Sequence, residues 1–285
     1  MYSQPGILAP LAASSNYVTL SLVNAAAARD VVARLSELRV DDTLIVGIGE
    51  PLVRALGRPV EGLHTFPALS GLGPAVPSTQ GAVFLQTRTT DHGGALTAMV
   101  HVIDAIGAGV RIDEDVPASK HDIGRDLSGF EDGTENPQGD DAIAAAITAD
   151  GSSFVAVQRW IHDLRALAAL DGPLRDQVIG RSMETNEELE DAPAHAHVKR
   201  TAQESFDPPA FMVRRSMPYG TVREHGLYFV AFIAELERFD RMLRRMCGLD
   251  DGIVDGLFSF SRPVSGGYYW CPPVIGTQLD LRRLG

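Results

Sequence analysis

Hydrophobic and polar positions follow two different periods along the chain. A two-residue alternation rich in β-branched side chains predicts strands, and apolar residues spaced three and four apart predict helices. In the first half, the strand pattern covers residues 17–23, 44–49 and 81–87, and the helical pattern covers 25–38 and 96–106. The stretch 51–80 is rich in Pro and Gly, which predicts irregular structure.

The order of strand and helix repeats after the middle of the chain. Strand patterns over residues 153–160 and 226–233 precede helical patterns over 161–169 and 234–246. A Gly- and Asp-rich stretch, 129–141, separates the two halves. The simplest architecture is therefore an α+β fold made of two halves that pack together.

Composition narrows the classes of function. A chain of 285 residues with 45% hydrophobic residues is long enough for one large domain or two medium ones. Its 37 acidic and 25 basic residues give a formal net charge of −12, which repels phosphate backbones and anionic lipid. We therefore expect neither a nucleic-acid partner nor a membrane partner.

Neither a secretory signal nor a membrane span is predicted. The N-terminal residues lack a basic region followed by an apolar one, and the best apolar run, 227–234, has the length of a strand. Cys247 and Cys271 include no CxxC pair, which excludes cysteine-based zinc and iron–sulfur sites. They could form one disulfide, but two separate thiols are commoner in a cytoplasmic protein, and the cytoplasm is the location we expect.

Three segments carry residue types suited to chemistry. In the first, Gly124–Pro137, Gly129 and Gly133 bracket Asp132 and allow the backbone to approach a ligand closely. An acidic turn or a calcium loop is the alternative, although no bidentate Glu stands at the EF-hand spacing.

The second segment, residues 194–200, contains His195 and His197. Two histidines this close could be metal ligands, a surface pair or a protonation switch. No carboxylate stands at a fixed spacing nearby, so a mononuclear zinc site is not favoured.

The third segment, Phe211–Gly220, is an apolar strand pattern that carries Arg214 and Arg215 and ends in a Pro-Tyr-Gly turn. Unless the strand is an exposed edge, alternation leaves one of the two arginines facing inward. An inward arginine needs an anionic partner, which could be Asp132 or the propionates of a cofactor.

Together, these segments resemble the dye-decolourising peroxidases in their bacterial B-type form. Residues 129–137 resemble the GxxDG motif and its continuation, 197–200 resemble the segment with the proximal haem ligand, and 213–220 resemble the strand with the distal arginine. The motifs follow the family's order. With family-like stretches at 4–8 and 263–269, the resemblance extends over nearly the whole chain.

The resemblance implies a fold of two ferredoxin-like halves, of the dimeric α+β barrel type, with antiparallel sheets and peripheral helices. Residues 1–140 are expected to form the half with the distal Asp loop, and 141–285 the half with the haem ligand and the distal Arg. Haem b is the implied cofactor.

The resemblance also assigns roles on the proximal side of the haem. His197, rather than His195, is implied as the axial iron ligand, because it occupies the His of the His-x-x-Arg pattern. Ligating histidines usually donate their second ring N–H to a carboxylate or carbonyl, and Asp255 is the residue expected to accept it.

On the distal side, Asp132, Arg214 and Ser216 are implied as the catalytic groups beside bound peroxide. Gly133 and Arg214 are further expected contacts of the haem. Arg215 matches a more variable position and is a weaker candidate.

The implied function is a haem peroxidase that reduces hydrogen peroxide through a ferryl intermediate and oxidises dyes, phenolic compounds or other one-electron donors. Large reductants that do not reach the haem could be oxidised at the protein surface through Trp160, Trp270 or one of several tyrosines, and the sequence does not choose among them. The alternative is a haem-handling protein that stores haem or releases its iron without peroxidase turnover. A haem enzyme of the chlorite-dismutase-like fold is a second alternative, and it would not need the Asp-Gly loop.

The resemblance further implies a homo-oligomer, with a hexamer as one option. Some B-type relatives are packed inside encapsulin shells by a C-terminal tail. The sequence ends at Gly285 with no obvious tail, so we expect shell loading only if such a tail is missing here.

Overall fold

The computed structural model of the protein describes residues 2–285. Within these residues the helices are α1 (Ala28–Glu37), α2 (Glu50–Leu56), α3 (His92–Ile106), α4 (Gly139–Ala146), α5 (Leu164–Ala169), α6 (Gly172–Ile179), α7 (His197–Thr201) and α8 (Glu237–Met246). No helix in this part of the chain combines the length and the apolar character that crossing a bilayer requires.

Most of the strands belong to one large antiparallel sheet, and the last two form a short ribbon near the C-terminus. The strands are β1 (Ser14–Leu22), β2 (Leu44–Gly49), β3 (Val83–Thr89), β4 (Val110–Ser119), β5 (Ser153–His162), β6 (Val213–Arg214), β7 (Met217–Gly220), β8 (His225–Ile233), β9 (Ser261–Pro263), β10 (Gly267–Cys271), β11 (Val274–Ile275) and β12 (Gln278–Leu279).

The two halves of the chain have the same strand order. In the first half the order is β4-β1-β3-β2, and in the second it is β10-β5-β8, with β6 and β7 along the far edge of β8. Edge strands of the two halves then pair, β2 with β10 and β4 with β7, so that the sheet closes on itself. This arrangement confirms the predicted α+β fold of two ferredoxin-like halves.

The inner faces of both halves form one core, and the helices cover the outer faces. Tyr17 of β1 stacks on Tyr228 of β8 with the ring centroids 4.3 Å apart, and both side chains are fully buried. All residues of β2 are buried, because its neighbours and the helices cover both of its faces. On the outer face of the second half, α8 buries Phe239, Met242 and Met246 against the sheet.

The prediction of irregular structure over residues 51–80 is wrong for residues 51–56, which belong to α2. Pro51 lies in the first turn of this helix, where its missing N–H leaves no hydrogen bond unmade. Gly57 ends the helix with φ +66°, a conformation that glycine adopts without strain. Leu52 and Val53 are buried, so packing stabilises a helix that the local composition did not indicate.

The helix predicted over residues 161–169 begins later, at Leu164. Ile161 and His162 continue β5 instead, because they pair with β9. Asp163 then caps α5 by accepting hydrogen bonds from the N–H groups of Arg165 and Ala166.

Cys247 and Cys271 are both free and buried, which confirms the prediction of two separate thiols. Burial raises the pKa of the Cys247 thiol to about 11. The predicted division of the chain between residues 140 and 141 falls inside α4, and it stays a prediction.

Gln4 ties the N-terminal segment to the closed sheet. Its buried side chain donates to the carbonyls of Val46 and Pro272, at 2.8 and 3.0 Å, and accepts from the Val46 N–H at 2.8 Å. Gln4→Ala would leave these backbone groups buried without partners, so we expect the free energy of unfolding to fall by about 2–4 kcal/mol. Urea denaturation measures the change, with Gln177→Ala at an exposed position of α6 as the control. Equal midpoints for the two variants would contradict the prediction.

Candidate active site

A cavity lies between the outer face of the second half's sheet and the helices α7 and α8. It encloses about 790 Å³, part of it open to solvent, and most of its surface is apolar. The apolar walls come from β5, β8 and α8 and consist of Trp160, Leu227, Phe229, Phe239, Met242 and Met246. Three residues singled out in the sequence, His197, Asp132 and Arg214, line this cavity together.

His197 is the first residue of α7. Its Nδ1 lies 2.8 Å from Oδ2 of Asp255, whose carboxylate is completely buried. The other oxygen of Asp255 accepts from the Leu257 N–H at 2.8 Å, so both oxygens are engaged. A carboxylate at Nδ1 favours the tautomer in which Nε2 carries a free lone pair. Within residues 2–285 nothing hydrogen-bonds Nε2, so this atom can bind a metal.

Buried contacts hold α7 in place. Arg200, only 5% exposed, donates to both carboxylate oxygens of Asp251, at 2.7 and 2.8 Å, and to the Arg245 carbonyl at 2.6 Å. On the side of α6, Gly180 has φ +91°, and a Cβ there would lie 2.4 Å from Val198. A glycine at this position therefore allows α7 to approach the end of α6.

His195 lies outside the cavity, and its side chain is exposed. Its backbone carbonyl accepts from the Gly256 N–H at 2.7 Å, which joins the segment before α7 to the residue after Asp255. Of the two histidines in this segment, the structure therefore places His197 at the cavity.

Asp132 reaches the cavity on a loop whose shape depends on glycine and on one arginine. Gly129 and Gly133 have φ +94° and +79°, where any other residue is strained. Arg125 spans the loop and donates to the carbonyls of Gly129 and Met183 at 2.6 and 3.0 Å. These contacts hold the loop against the second half of the chain.

Arg214 and Asp132 form the charged pair of the cavity. Nε of Arg214 lies 3.5 Å from Oδ1 of Asp132, an ion-pair distance without hydrogen-bond geometry, and this Nε is buried with no hydrogen-bond partner. Asn136 brings the two residues together. Its Oδ1 accepts from the Arg214 N–H at 2.8 Å, and its Nδ2 donates to the Arg214 carbonyl at 2.9 Å. The sequence contained no signal for this amide clamp.

The remaining predicted residues lie beside the cavity. Arg215 turns away from it and donates to the Ala9 carbonyl at 2.9 Å. Ser216 is buried, and its hydroxyl accepts from the Val230 N–H at 3.4 Å. Neither Ser216 nor Gly133 is among the residues that line the cavity, and their expected roles stay predictions.

A buried polar cluster that sequence reasoning missed also lines the cavity. Nε2 of His162 lies 3.2 Å from Oδ1 of Asp126, and Nδ1 lies 2.7 Å from the hydroxyl of Ser261. Burial acts to raise the pKa of Asp126, but hydrogen bonds from His162 and Ser128 bring it below its ordinary value. The one signal in the sequence was His162 at the end of an apolar strand. A single histidine in such a place is more often structural than functional.

Comparisons with known proteins point to one family. The family model described as Dyp-type peroxidase, C-terminal, matches residues 124–276. The dye-decolorizing peroxidase of Mycobacterium tuberculosis is 32% identical over 268 aligned residues, which cover 89% of this chain and 78% of that protein. That of Mycolicibacterium paratuberculosis is 32% identical over 229 residues, which cover 76% of this chain but only 64% of the relative, less than two thirds of its length.

A solved structure of a similar protein supports the same grouping. A variant of DypB from Rhodococcus jostii RHA1, in complex with haem, has a TM-score of 0.86 and 27% identity, covering 93% of this chain and 94% of that chain. The family model matches more than half of the chain, and the Mycobacterium tuberculosis relative aligns with most of it. The chain therefore belongs to the dye-decolourising (Dyp-type) peroxidase family.

Proposed function

We propose that the protein is a haem peroxidase that reduces hydrogen peroxide with electrons from one-electron donors. The observation that carries this proposal is a single apolar cavity with two kinds of polar group. One is His197, oriented by Asp255, and the other is the ion pair of Asp132 and Arg214. The first suits an iron ligand and the second suits proton transfer to and from peroxide.

The residues around the cavity fit haem b. A histidine with an orienting carboxylate is a common axial ligand of haem iron, and apolar, aromatic walls suit a porphyrin. Two buried donors that line the cavity, Nε of Arg214 and Nε2 of Gln158, have no partner among residues 2–285. Buried donors are normally satisfied, so they favour a bound group that supplies acceptors. The haem bound by the Rhodococcus jostii relative supports the same cofactor here.

Haem supplies a redox-active iron whose reactivity depends on its axial ligand. His197 would hold it through Nε2, while Asp255 keeps a proton on Nδ1 and makes Nε2 more basic. The contacts of Arg200 with Asp251 and Arg245 hold the helix that carries His197. The imidazole is thus preorganised as a ligand before anything binds.

Asp132 and Arg214 act on peroxide. For water to leave, one peroxide oxygen must lose its proton and the other must gain it. A carboxylate oxygen of Asp132 accepts this proton and returns it, while the Arg214 guanidinium stabilises negative charge on the departing oxygen. The Asn136 clamp keeps the two side chains within 3.5 Å, so that both meet the same peroxide molecule.

A protein that stores haem or releases its iron would need a ligand and apolar walls, but no group that transfers protons to and from peroxide. The Asp132–Arg214 pair is held in the cavity by a dedicated loop and by the Asn136 clamp. This pair therefore favours peroxidase turnover over haem handling.

We also propose that dyes and phenolic compounds are among the donors, as the names of the dye-decolorizing relatives suggest for dyes. A homo-oligomer, with a hexamer as one option, is part of the proposal. Leu96 and Val100 on α3 are 45% and 48% exposed and support a contact between subunits. The cytoplasmic location and packing in an encapsulin shell stay predictions from the family resemblance.

An absorption spectrum of the haem-loaded protein tests the function. We expect a Soret band that shifts within seconds after one equivalent of hydrogen peroxide and returns when a one-electron donor is added. His197→Ala should bind haem much more weakly, because the axial ligand is lost. A Soret band that peroxide leaves unchanged would instead favour haem handling, and no band at all would contradict both functions.

The roles proposed for Asp132 and Arg214 predict that a variant at either position reacts slowly with peroxide. In Asp132→Asn and in Arg214→Leu, we expect the second-order rate constant for peroxide to fall about 10²–10³-fold, because proton transfer or charge stabilisation is lost. Stopped-flow absorbance measures this rate. Arg215→Leu, next to Arg214 but in contact with Ala9, is the control and should keep the wild-type rate in its folded protein. Wild-type rates in both distal variants would rule out the proposed roles.

Asp255→Asn tests the orientation of the iron ligand. The amide of asparagine is uncharged. Even if its oxygen accepts the hydrogen bond from His197 Nδ1–H, it does not make Nε2 as strong a metal ligand as the carboxylate does. We therefore expect haem affinity to fall about 10–100-fold. Haem transfer to an excess of apomyoglobin measures the loss. The control is Asp163→Asn. Asp163 caps α5 through backbone N–H groups and makes no hydrogen bond to a histidine. Unchanged haem retention in Asp255→Asn would show that its carboxylate does not support the ligand.

A further inference from the structure

An open depression with about 1460 Å³ of empty space, which includes open solvent, adjoins the cavity, and the proposed mechanism does not use it. Three arginines line it: Arg165 in α5, Arg223 in the turn between β7 and β8, and Arg262 in β9. Within residues 2–285 their guanidinium groups contact no carboxylate and no other hydrogen-bond acceptor, whereas most arginines of the chain do. These three charges are therefore available to a ligand.

The depression is positively charged although the protein carries a formal net charge of −12. Asp163 supplies the one carboxylate in its described lining, and Oδ1 of Asp163 accepts from the N–H groups of Arg165 and Ala166. His225 adds an imidazole whose Nδ1 bonds to the Thr221 carbonyl at 3.0 Å. An open concavity with an excess of unpaired arginines attracts anions.

The floor of the depression is aromatic and adjoins the haem cavity. Phe258 and Phe260 line the depression, and the ring of Phe258 stacks on Trp160 with centroids 5.5 Å apart. Trp160 lines the cavity, and His162 and Ser261 line both spaces. A single layer of side chains therefore separates a molecule in the depression from the cavity.

A second space next to the cavity has the opposite charge. It shares Glu131, Asp132, His197 and Arg214 with the cavity, and its lining adds the glutamates Glu135, Glu188 and Glu204. Arg181 offsets part of this charge through Glu135 and Glu188. An organic anion is repelled on this side and attracted to the arginine-lined depression.

We propose that the depression binds small phenols that carry a carboxylate or sulfonate group, and that these phenols donate electrons towards the haem cavity through Trp160 without entering it. This inference rests on the proposed peroxidase function. The anionic group pairs with Arg165, Arg223 and Arg262, and the ring packs on Phe258.

The electron and proton balance is that of peroxide reduction. In each turnover two donor molecules each lose one electron and one proton and become radicals. The O–O bond of one hydrogen peroxide breaks, and the two electrons and two protons end in two molecules of water. The proton of the donor can leave to solvent at the depression. The oxygen atoms of hydrogen peroxide take up protons through Asp132. The donor therefore needs only electronic contact with the cavity.

Charge-matched double variants of the haem-loaded protein test the site. Arg165→Gln/Arg262→Gln removes two charges of the depression. The control is Arg29→Gln/Arg58→Gln. It removes two exposed arginines that lie outside the depression and that also lack side-chain partners in the described chain. For 4-hydroxybenzenesulfonate at low ionic strength, we expect the first variant to raise KM about fivefold, because two partly exposed charge pairs are lost. The KM for neutral 4-methoxyphenol should not change.

Calorimetric titration with 4-hydroxybenzenesulfonate, in the absence of peroxide, measures binding without turnover. Its Kd should rise in the first double variant and not in the second. Trp160→Phe should slow oxidation of the sulfonate and leave its Kd unchanged.

Equal rises of KM for both phenols, or equal rises in both double variants, would overturn the proposed site. An unchanged Kd in the first double variant would overturn it as well. If the protein oxidises neither phenol but its sulfonate binding still depends on Arg165 and Arg262, the peroxidase function fails and the anion site stands.

Discussion

Backbone hydrogen bonds from β2 to β10 and from β4 to β7 join two sheets that would otherwise each expose their edges. Closure gives the two halves one common interior, in which Tyr17 of the first half stacks on Tyr228 of the second. Because that interior is filled with side chains, a ligand of haem size has to lie on an outer face. The outer face of the second half, beneath α7 and α8, is where the cavity forms.

Closure also explains how residues far apart in the chain meet at this cavity. The loop with Asp132 connects the two halves, and it reaches the strand of Arg214 only because the halves are joined. Two hydrogen bonds from Asn136 to the backbone of Arg214 then set the separation of the charged pair. On the other side, the buried carboxylate of Asp255 orients His197, and the buried guanidinium of Arg200 holds the helix that carries it. The geometry of the candidate site is therefore a property of backbone clamps as much as of the side chains that line it.

Charges in this protein divide into those with partners and those without. Some of the paired ones, such as Asp126 with His162 and the guanidinium of Arg200 with Asp251, involve side chains whose burial makes an unpaired charge costly. The unsatisfied donors of Arg214 and Gln158 lie in the cavity, and three unpaired arginines lie in the depression next to it. Some of the polar groups without protein partners therefore lie where ligands are proposed to bind.

The sequence by itself determined the main strands and helices, the family and the three segments that carry Asp132, His197 and Arg214. Each of these signals lies within a short stretch of chain, where periodicity or a motif can be read directly. The tertiary structure decided the rest. It formed α2 because Leu52 and Val53 are buried, and it brought Asp126 to His162 and Asn136 to Arg214 across 36 and 78 residues. It also collected Arg165, Arg223 and Arg262 from three separate elements. Contacts of this kind join residues that are far apart in the sequence and exist only in the folded chain, so no local pattern in the sequence could have contained them.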